Sequence, residues 1–441
     1  MSHPAGRWRL LLPETVLPLG LAWAVNGANC QTYRQHGLFS RDGVQIGAFF
    51  GPEGQLVAFR RALDEARVQR ISLPRFALPQ DAHFSPSVVT DQRGRLHIMG
   101  GAHVTEAFYL RSAPGGSLRS LVAVQDSALH ADGPISYPSF LAGEDDALYL
   151  TYRIGVPGRG AWQLRAWDEA TEAWAPRSTP LASGMGRDTW TSSPYFNNPL
   201  RRHAGSFGFF NVWRSNVLGG GRNVVRNIGL DYFEVDPSTS NARTHGGLRL
   251  PLPVTPAVSE RVVAVPNDGQ LSNQAGATRL RDGRPFAAML MAGRDGRRQV
   301  HVTWPRPDGQ WRAYPITRFR SDQPMLGQGT LYLPHSRPAC VALPDDNVIV
   351  LFRSAEHGNR LLAKRLYPPH YRAQEGDSLI LWPRDLGFYE PVVDIALAEA
   401  TGRLCLFVQC CGGAADNVDA SVARTAPARL MEWAVPPAAG S

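Results

Sequence analysis

Lysine is almost absent from this sequence of 441 residues. Lys364 is the only lysine among 46 lysine and arginine residues, and the 38 acidic residues leave a net charge of +8. The arginines are scattered and form no basic block, which argues against a nucleic-acid-binding surface. A GC-rich genome accounts for most of this preference for arginine. Because the planar guanidinium suits carboxylates and sulfates, the charge is compatible with an anionic polymer as partner.

Cysteine is also scarce, and its spacing is uninformative. The chain has an odd number of cysteines, and no CxxC spacing of the kind that binds zinc is present. We therefore expect a reduced or disulfide-poor protein. The five cysteines are Cys30, Cys340, Cys405, Cys410 and Cys411.

Long apolar runs are missing too, which excludes a helix that crosses a membrane. The stretch LLLPETVLPLGLAWA (10–24) resembles the apolar part of a secretory signal, but Glu14 and two prolines interrupt it. We expect either an intracellular protein or an exported one whose signal lies outside this numbering.

No long helical pattern stands out either. ALDEARVQR (62–70) is the best helix candidate and it is short. The 43 glycines, 35 prolines and 11 tryptophans instead favour many turns and flat, packed strands.

What the sequence does contain is a recurring unit of two strands joined by a polar Gly/Asp turn. A repeat of roughly 50–60 residues is typical of propeller blades, and a shorter strand before most units would complete four strands per blade. The sequence therefore predicts an all-β, seven-bladed β-propeller of four-stranded antiparallel blades, closed by its first and last units. It would span 23–441, after an N-terminal extension or strand at 1–22; a pair of stacked β-sandwiches is the competing fold. The units are 45–61, 95–112, 147–168, 206–215 with 227–235, 285–304, 347–366, and 403–413 with 428–435.

Several stretches resemble the BNR-type propeller family that includes the ulvan lyases and the rhamnose–glucuronic acid lyases. They run in order from Trp23 to the last unit and include WAVNGA, DAHFSPSVVTDQRGRLHIMGGAH, YPSF, SPYFNN, FFNVWR and SNQAG. The resemblance implies a propeller that cleaves uronic-acid polysaccharides by β-elimination in a cleft at one end of the channel. It implies an anionic poly- or oligosaccharide as partner, without nucleic acid or membrane. The resemblance implies no required cofactor. It leaves open whether a structural metal ion is bound, and its ligands are not assigned.

β-Elimination from a uronate requires three groups. One neutralises the carboxylate, one removes the C5 proton, and one protonates the leaving oxygen. A bidentate arginine stabilises the aci-carboxylate of the transition state. Histidine or tyrosine can give and take the protons when its surroundings tune it. We therefore expect these residue types to converge at one mouth of the channel.

His83 and His103 are the first catalytic candidates. His83 follows an aspartate in a D-x-H stretch before a strand, and His103 ends the next strand, a spacing that resembles the histidine pair of the lyases. Antiparallel pairing would bring both to one rim. The alternative is that His83 caps a turn and His103 lies in a surface loop. His97, and likewise His301, has the strand parity of a packed residue, and a zinc site of His83, His97 and His103 lacks supporting carboxylates or cysteines.

Tyr149 and Arg165 complete the predicted catalytic set. The order His103, Tyr149, Arg165 resembles the His–Tyr–Arg order of the lyase active sites. Tyr149 is thus predicted as proton donor or base, and Arg165 as the group that neutralises the carboxylate. The alternative for Tyr149 is that it fills the apolar space between blades.

Five further residues are predicted to bind substrate. Arginines suit a carboxylate or sulfate, a tyrosine suits a sugar face, and amides suit hydroxyl groups, although amides in turns often cap the backbone. These residues are Arg153, Tyr195, Arg214, Asn198 and Gln274.

The sequence departs from the family pattern at two places, and two alternative functions are compatible with it. The chain reads DAHF where ulvan lyases tend to read DxHN, which bears on the substrate, and RPDGQW (306–311) is the nearest remnant of an Asp box. A sialidase-like hydrolase would need paired acidic groups, whereas Asp81 and Asp231 stand singly. A carbohydrate-binding propeller without catalysis is the other alternative.

Overall fold

Most strands of this protein are apolar at successive positions because neighbouring sheets cover both of their faces. Strand Val348–Ser354, for example, is buried at every position. Within the described residues the strands form seven sheets, which confirms the seven-bladed β-propeller over stacked sandwiches. The computed structural model describes residues 8–31, 37–76, 79–143, 146–175, 179–186, 191–197, 200–201, 205–216, 226–265, 270–274, 276–325, 329–373, 377–414, 416, 418 and 424–435.

The first half of the chain forms two N-terminal strands and blades 1 to 3. The N-terminal strands are β1 (Arg9–Leu10) and β2 (Thr15–Trp23). Blade 1 contains β3 (Leu38–Arg41), β4 (Val44–Phe50), β5 (Leu56–Ala62) and β6 (Gln69–Ser72). Blade 2 contains β7 (Ser87–Thr90), β8 (Leu96–Gly100), β10 (Phe108–Arg111) and β11 (Val122–Ala123). Blade 3 contains β9 (His103–Thr105), β12 (Ile135–Ala142), β13 (Leu148–Val156), β14 (Arg159–Asp168), β15 (Ala173–Ala175) and β16 (Ala182–Ser183).

The second half forms blades 4 to 7. Blade 4 contains β17 (Ser192–Phe196), β18 (Leu200–Arg201), β19 (Phe207–Ser215), β20 (Asn227–Asp236), β21 (Asn241–Arg243), β22 (Arg249–Leu250) and β23 (Glu260–Ala264). Blade 5 contains β24 (Gly276–Arg279), β25 (Pro285–Ala292), β26 (Arg298–Pro305) and β27 (Trp311–Pro315). Blade 6 contains β28 (Ala339–Ala342), β29 (Val348–Ser354), β30 (Arg360–Leu366) and β31 (Ser378–Trp382), and blade 7 contains β32 (Val392–Val393), β33 (Arg403–Val408) and β34 (Thr425–Ala434).

Helices are short in the part of the chain that the structure describes. The α-helices are α1 (Ser127–Ala131) and α2 (Ile395–Thr401), and 3₁₀ turns lie at Ala82–Phe84, Leu118–Ser120 and Ala355–His357. The helix candidate at 62–70 is not a helix, because this stretch holds the end of β5, a turn and the start of β6. Among these described helices, none has the length and apolar character needed to cross a membrane.

The seven predicted units are confirmed as the central hairpins of the seven blades. They coincide with β4–β5, β8–β10, β13–β14, β19–β20, β25–β26, β29–β30 and β33–β34. The first strands of blades 5 and 6 pack closely against each other. A Cβ added to Gly276 on β24 would lie 2.5 Å from the backbone nitrogen of Cys340 on β28. The equivalent starts of these inner strands therefore meet at one mouth of the channel.

The ring is closed by the N-terminal strands. β2 pairs antiparallel with β34 and completes blade 7, while β1 pairs parallel with β31 in blade 6. The predicted extension at 1–22 thus contributes strands to the last two blades within its described part. A buried polar cluster joins blade 1 to blade 7: Arg61 on β5 forms an ion pair with Glu432 on β34, and Gln45 donates to Asp394 at 2.7 Å. Closure consequently combines strand pairing with buried charges.

Glu432→Ala should weaken ring closure, because it leaves the guanidinium of Arg61, 2 % exposed, without its carboxylate partner. We expect the free energy of unfolding in guanidinium chloride to fall by about 3 kcal/mol. Arg403→Ala is the matched control: Arg403 binds the same carboxylate, but its side chain is 45 % exposed. The control should lose less than about 1 kcal/mol. Equal losses in the two variants would contradict a dominant role for the buried pair.

Candidate active site at the mouth of the channel

A short turn at the start of blade 2 positions the first imidazole. Asp81 precedes the 3₁₀ turn Ala82–Phe84, and its Oδ1 accepts the backbone N–H of His83 at 2.8 Å. This local hydrogen bond is the typical capping interaction of an aspartate at a turn. It fixes both Asp81 and His83, which are buried, ahead of inner strand β7.

A strained turn positions the second imidazole. His103 begins β9, which leaves blade 2 and pairs with Ser136 of blade 3. The next residue, Val104, has φ +58°, a conformation that a β-branched residue rarely adopts. Its backbone N–H donates to Ser136 Oγ at 2.9 Å, which holds the turn. The result is that the rings of His83 and His103 stack with centroids 3.8 Å apart.

The two histidines share one carboxylate. Asp81 Oδ1 lies 2.5 Å from Nδ1 of His83, and Oδ2 lies 2.7 Å from Nδ1 of His103. Burial raises the pKa of Asp81, but the hydrogen bonds from both imidazoles and their charges outweigh it and leave this pKa well below its ordinary value. Burial and then the charge of His103 lower the pKa of His83, against the opposing effect of Asp81. At neutral pH, Asp81 is therefore ionised and His83 is suited to accept a proton.

Tyr137 lies beside the histidine pair. It stands near the start of β12 with φ +57°, and its ring centroid is 5.6 Å from that of His83 and 5.9 Å from that of His103. Burial, and then the charge of Tyr195, raise the pKa of Tyr137, while Arg153 and Arg214 oppose the rise. Tyr137 is consequently a protonated phenol at neutral pH.

Arg153 on β13 lies beneath two tyrosine rings. Its guanidinium carbon is 4.9 Å from the ring centre of Tyr137 and 5.0 Å from that of Tyr195. Nη2 donates to Ser136 Oγ at 3.1 Å, whereas Nε and Nη1 have no hydrogen-bond partner among the described residues. The side chain is fully buried. A buried charge with so few partners costs stability, which points to a functional reason for its presence.

Arg214 and Gln274, two further predicted binding residues, lie in blade 4 and just before the first strand of blade 5. Arg214 on β19 is half-buried and pairs with Ser193, so that it shares a strand face with Tyr195. Gln274 is buried before β24 with φ +57°, and its Nε2 has no partner within the described part of the chain. Asn198 lies outside the described residues.

Tyr149 and Arg165 are not brought to the histidines. Tyr149 lies four residues before Arg153 on β13, about 13 Å along the strand, and packs against Phe207. Arg165 on β14 pairs with Leu150, so their side chains share one face of the sheet. The side chain of Arg153 lies on the opposite face. Arg165 forms an ion pair with Asp132 and donates to the hydroxyl of Tyr152. Tyr137 and Arg153, and not the predicted Tyr149 and Arg165, therefore accompany the histidines.

His97 lies apart from this cluster. It is fully buried, with Nδ1 2.7 Å from the hydroxyl of Tyr109 and Nε2 3.1 Å from Asp91 Oδ2. A site formed by His83, His97 and His103 is consequently not assembled. His301 is buried in blade 5, with Nδ1 3.0 Å from the carbonyl of Gln299.

Asp81, His83 and His103 also form the type of cluster that could bind a metal ion. Two donors on a tetrahedral zinc ion lie about 3.3 Å apart, given bond lengths near 2.0–2.1 Å. The 2.5 and 2.7 Å contacts between Asp81 and the imidazoles are shorter and match charge-assisted hydrogen bonds. The arrangement fits proton sharing better than chelation.

Two further residues approach His83 from other blades, and no motif in the sequence points to them. Thr330 Oγ1 lies 3.3 Å from Nδ1 of His83. Asp416 Oδ2 lies 3.9 Å from the same nitrogen and accepts the backbone N–H of Thr330 at 2.7 Å. These contacts place the connection between blades 5 and 6 and the hairpin of blade 7 beside the site.

The fold and the site together define a class of protein. It is a seven-bladed propeller with a cluster of histidine, tyrosine and arginine at the mouth of its channel. The profile of the BNR repeat-containing family matches residues 45–319, more than half of the sequence. The chain therefore belongs to the BNR repeat-containing family, which confirms the family resemblance. A search of curated protein sequences gives no match.

Solved structures of polysaccharide lyases share the fold. The chain is similar to the polysaccharide lyase Uly1, with 14 % identity and a TM-score of 0.63 over 95 % of this chain and 99 % of that one. It is similar to an ulvan lyase of polysaccharide lyase family PL25, with 12 % identity and a TM-score of 0.62 over 95 % and 96 %. A second structure of a PL25 ulvan lyase, with the same scores, carries bound -[GlcA(1-4)Rha3S]-. At these identities the likeness shows the fold.

Arg153→Met should leave the free energy of unfolding unchanged or raise it by about 1 kcal/mol, since methionine removes a buried charge with few partners. Arg165→Met is the matched control on the neighbouring strand. It should lower the same free energy by about 3 kcal/mol, because Asp132 and Tyr152 lose their partner. Denaturant titration measures both. A loss in Arg153→Met as large as that in Arg165→Met would show that Arg153 is retained for stability.

Proposed function

We propose that this protein is a polysaccharide lyase that cleaves a uronic-acid-containing glycan by β-elimination at the mouth of the channel. The observation that carries the proposal is the pair of stacked imidazoles on one carboxylate beside a buried phenol. A neutral imidazole can remove the C5 proton, and a protonated phenol can donate to the leaving oxygen. His83, His103 and Tyr137 supply both groups within one cluster.

The directions of the pKa shifts assign the two proton transfers. Because the pKa of His83 is lowered by burial and by the charge of His103, His83 is unprotonated near neutral pH and serves as base. Because the pKa of Tyr137 is raised by burial, its phenol holds a proton and serves as acid. The C5–H electron pair then forms the C4–C5 double bond, the C4–O bond breaks, and the proton of Tyr137 passes to the leaving oxygen.

Two arginines supply positive charge to this reaction. Arg214 is half-buried on the strand face of Tyr195, and we assign it to the substrate carboxylate. Arg153 is fully buried beneath Tyr137 and Tyr195, and we assign it to stabilising the negative charge that develops on the phenolic oxygen. Tyr195 and Gln274 are assigned to the sugar.

The comparisons support an anionic glycan as substrate. The PL25 ulvan lyase structure with bound -[GlcA(1-4)Rha3S]- has the same fold over 95 % of this chain. A uronate unit is the part of such a ligand on which the proposed chemistry acts. The excess of arginine in the present sequence is compatible with this partner.

A glycoside hydrolase is less well supported by the acidic groups. A hydrolase needs a carboxylic acid that holds its proton. Asp81 is held ionised by two imidazoles. Burial raises the pKa of Asp231 to about 6, but Asp231 is bound by Trp213 and Arg261 within blade 4. An assay of glycan cleavage also distinguishes a lyase from a propeller that binds glycans without cleaving them.

Tyr137→Phe should lower kcat by about 10²–10⁴-fold, because it removes the proposed acid. Tyr149→Phe is the matched control, since Tyr149 packs on Phe207 away from the histidines, and it should stay within about 2-fold of wild type. The assay is a panel of uronic-acid polysaccharides followed by the ultraviolet absorbance of the unsaturated uronate.

Absence of that absorbance with every glycan of the panel would refute the lyase proposal. Equal activity of Tyr137→Phe and the wild-type enzyme would refute the assignment of Tyr137 while leaving the reaction in place.

The acid limb of the pH profile of kcat/KM should lie below the ordinary histidine pKa of about 6.5. A base must be unprotonated to act, and a lowered pKa keeps His83 unprotonated down to a lower pH. Activity should therefore persist below this value and be lost as the pH falls through the pKa of the folded enzyme. An acid limb at or above about 6.5 would contradict the assignment of His83 as base.

A further inference from the structure

Asp81 is bound to both imidazoles through the same type of ring nitrogen. Its two oxygens lie 2.5 and 2.7 Å from Nδ1 of His83 and Nδ1 of His103. An ionised carboxylate can only accept hydrogen bonds, so both Nδ1 atoms must carry the proton. In the neutral imidazole the lone pair is then on Nε2 in each ring.

Asp81 is itself rigidly held. Oδ1 accepts the backbone N–H of His83 at 2.8 Å in addition to the ring, and the residue is 7 % exposed. Because the acceptor is fixed by the turn that it caps, the ring of His83 is fixed relative to its own backbone. This local constraint needs no contact with substrate.

The stacking of the rings adds a second constraint. The rings are inclined by only 19°, with centroids 3.8 Å apart. Since both Nδ1 atoms point to Asp81, both Nε2 atoms lie on the sides of the rings turned away from it. The carboxylate of Asp81 thereby leaves the basic nitrogen of each ring turned away from it.

The same geometry limits the charge of the pair. Two imidazolium ions in contact repel each other, and Asp81 supplies one negative charge between them. Among the described residues, Asp416, Thr330 and the phenol of Tyr137 also lie beside His83. The pair with its carboxylate takes up one proton in preference to two, so one imidazole stays available as base.

We propose that Asp81 is the positioning residue of the site, which holds His83 and His103 in the Nδ1–H tautomer and couples their protonation. The catalytic consequence rests on the proposed lyase function. The tautomer assignment rests on the two contacts of Asp81 and on its ionised state, and it does not depend on the proposed function.

Asp81→Asn offers one oxygen and one NH₂ group in place of two oxygens. One histidine can keep its Nδ1–H bond to the amide oxygen, whereas the other faces a donor and must move its proton to Nε2. The amide oxygen also preserves the cap on the backbone N–H of His83, so the turn is retained. Asp91→Asn is the matched control, since Asp91 binds the buried His97 within blade 2, away from the mouth.

The first measurement is ¹⁵N nuclear magnetic resonance of the histidine-labelled protein. It is made at a pH about two units above the ordinary histidine pKa of about 6.5. Wild type should show His83 and His103 both as the Nδ1–H tautomer, and Asp81→Asn should convert one of them to Nε2–H. Signals are assigned with His83→Gln and His103→Gln. A wild-type Nε2–H tautomer at either residue, or no conversion in Asp81→Asn, would overturn the proposal.

The second measurement is steady-state kinetics with the glycan that wild type cleaves. Asp81→Asn should lower kcat at least about 100-fold with KM within about 3-fold, and Asp91→Asn should leave both within about 3-fold. A loss of less than about 10-fold in Asp81→Asn would overturn the catalytic role of the tautomer. A wild-type enzyme without lyase activity refutes the proposed function, and the nuclear magnetic resonance result then decides on Asp81 separately.

Discussion

The pairing of β2 with β34 closes the ring, and every feature of the candidate site depends on that closure. The site has no single supporting hairpin. Its residues come from the start of blade 2, the inner strand of blade 3, blade 4, the connection between blades 5 and 6, and the hairpin of blade 7. These segments meet only because equivalent ends of the inner strands face one channel mouth. The buried ion pair of Arg61 and Glu432 reinforces the joint at which the ring would open.

Several features of the site lower the stability of the fold that supports it. Arg153 keeps a charge in the interior with Ser136 as its one hydrogen-bond partner within the described chain. Val104 and Tyr137 adopt positive φ angles that cost of order 1 kcal/mol each. Together they place two imidazoles, a phenol and a cation in contact, and proteins accept local strain of this kind at functional sites.

The fold could be predicted because its signal is repeated seven times, whereas the site depends on details that occur once. The D-x-H stretch and the strand after it point to His83 and His103 because their spacing resembles the histidine pair of the lyases. The sequence pattern predicts Tyr149 and Arg165 and does not single out Tyr137, although the same number of residues separates Tyr137 from Arg153 as separates Tyr149 from Arg165. Spacing could not decide between them. Two structural details decide which tyrosine and which arginine lie beside the histidines. One is which end of β13 lies at the mouth, and the other is which face of β14 is turned to blade 4. Both follow from strand register. The contacts of Thr330 and Asp416 with His83 depend on long connections between blades, which carry no periodic signal.

The central claim is that the mouth of this propeller breaks a uronate glycan by elimination and not by hydrolysis. Digestion in heavy-oxygen water, followed by mass spectrometry of the products, tests it most directly. Elimination breaks the bond without adding water, so we predict products with no heavy oxygen and with an unsaturated uronate at the new non-reducing end. Incorporation of heavy oxygen at the new reducing end would contradict the account and identify the protein as a hydrolase.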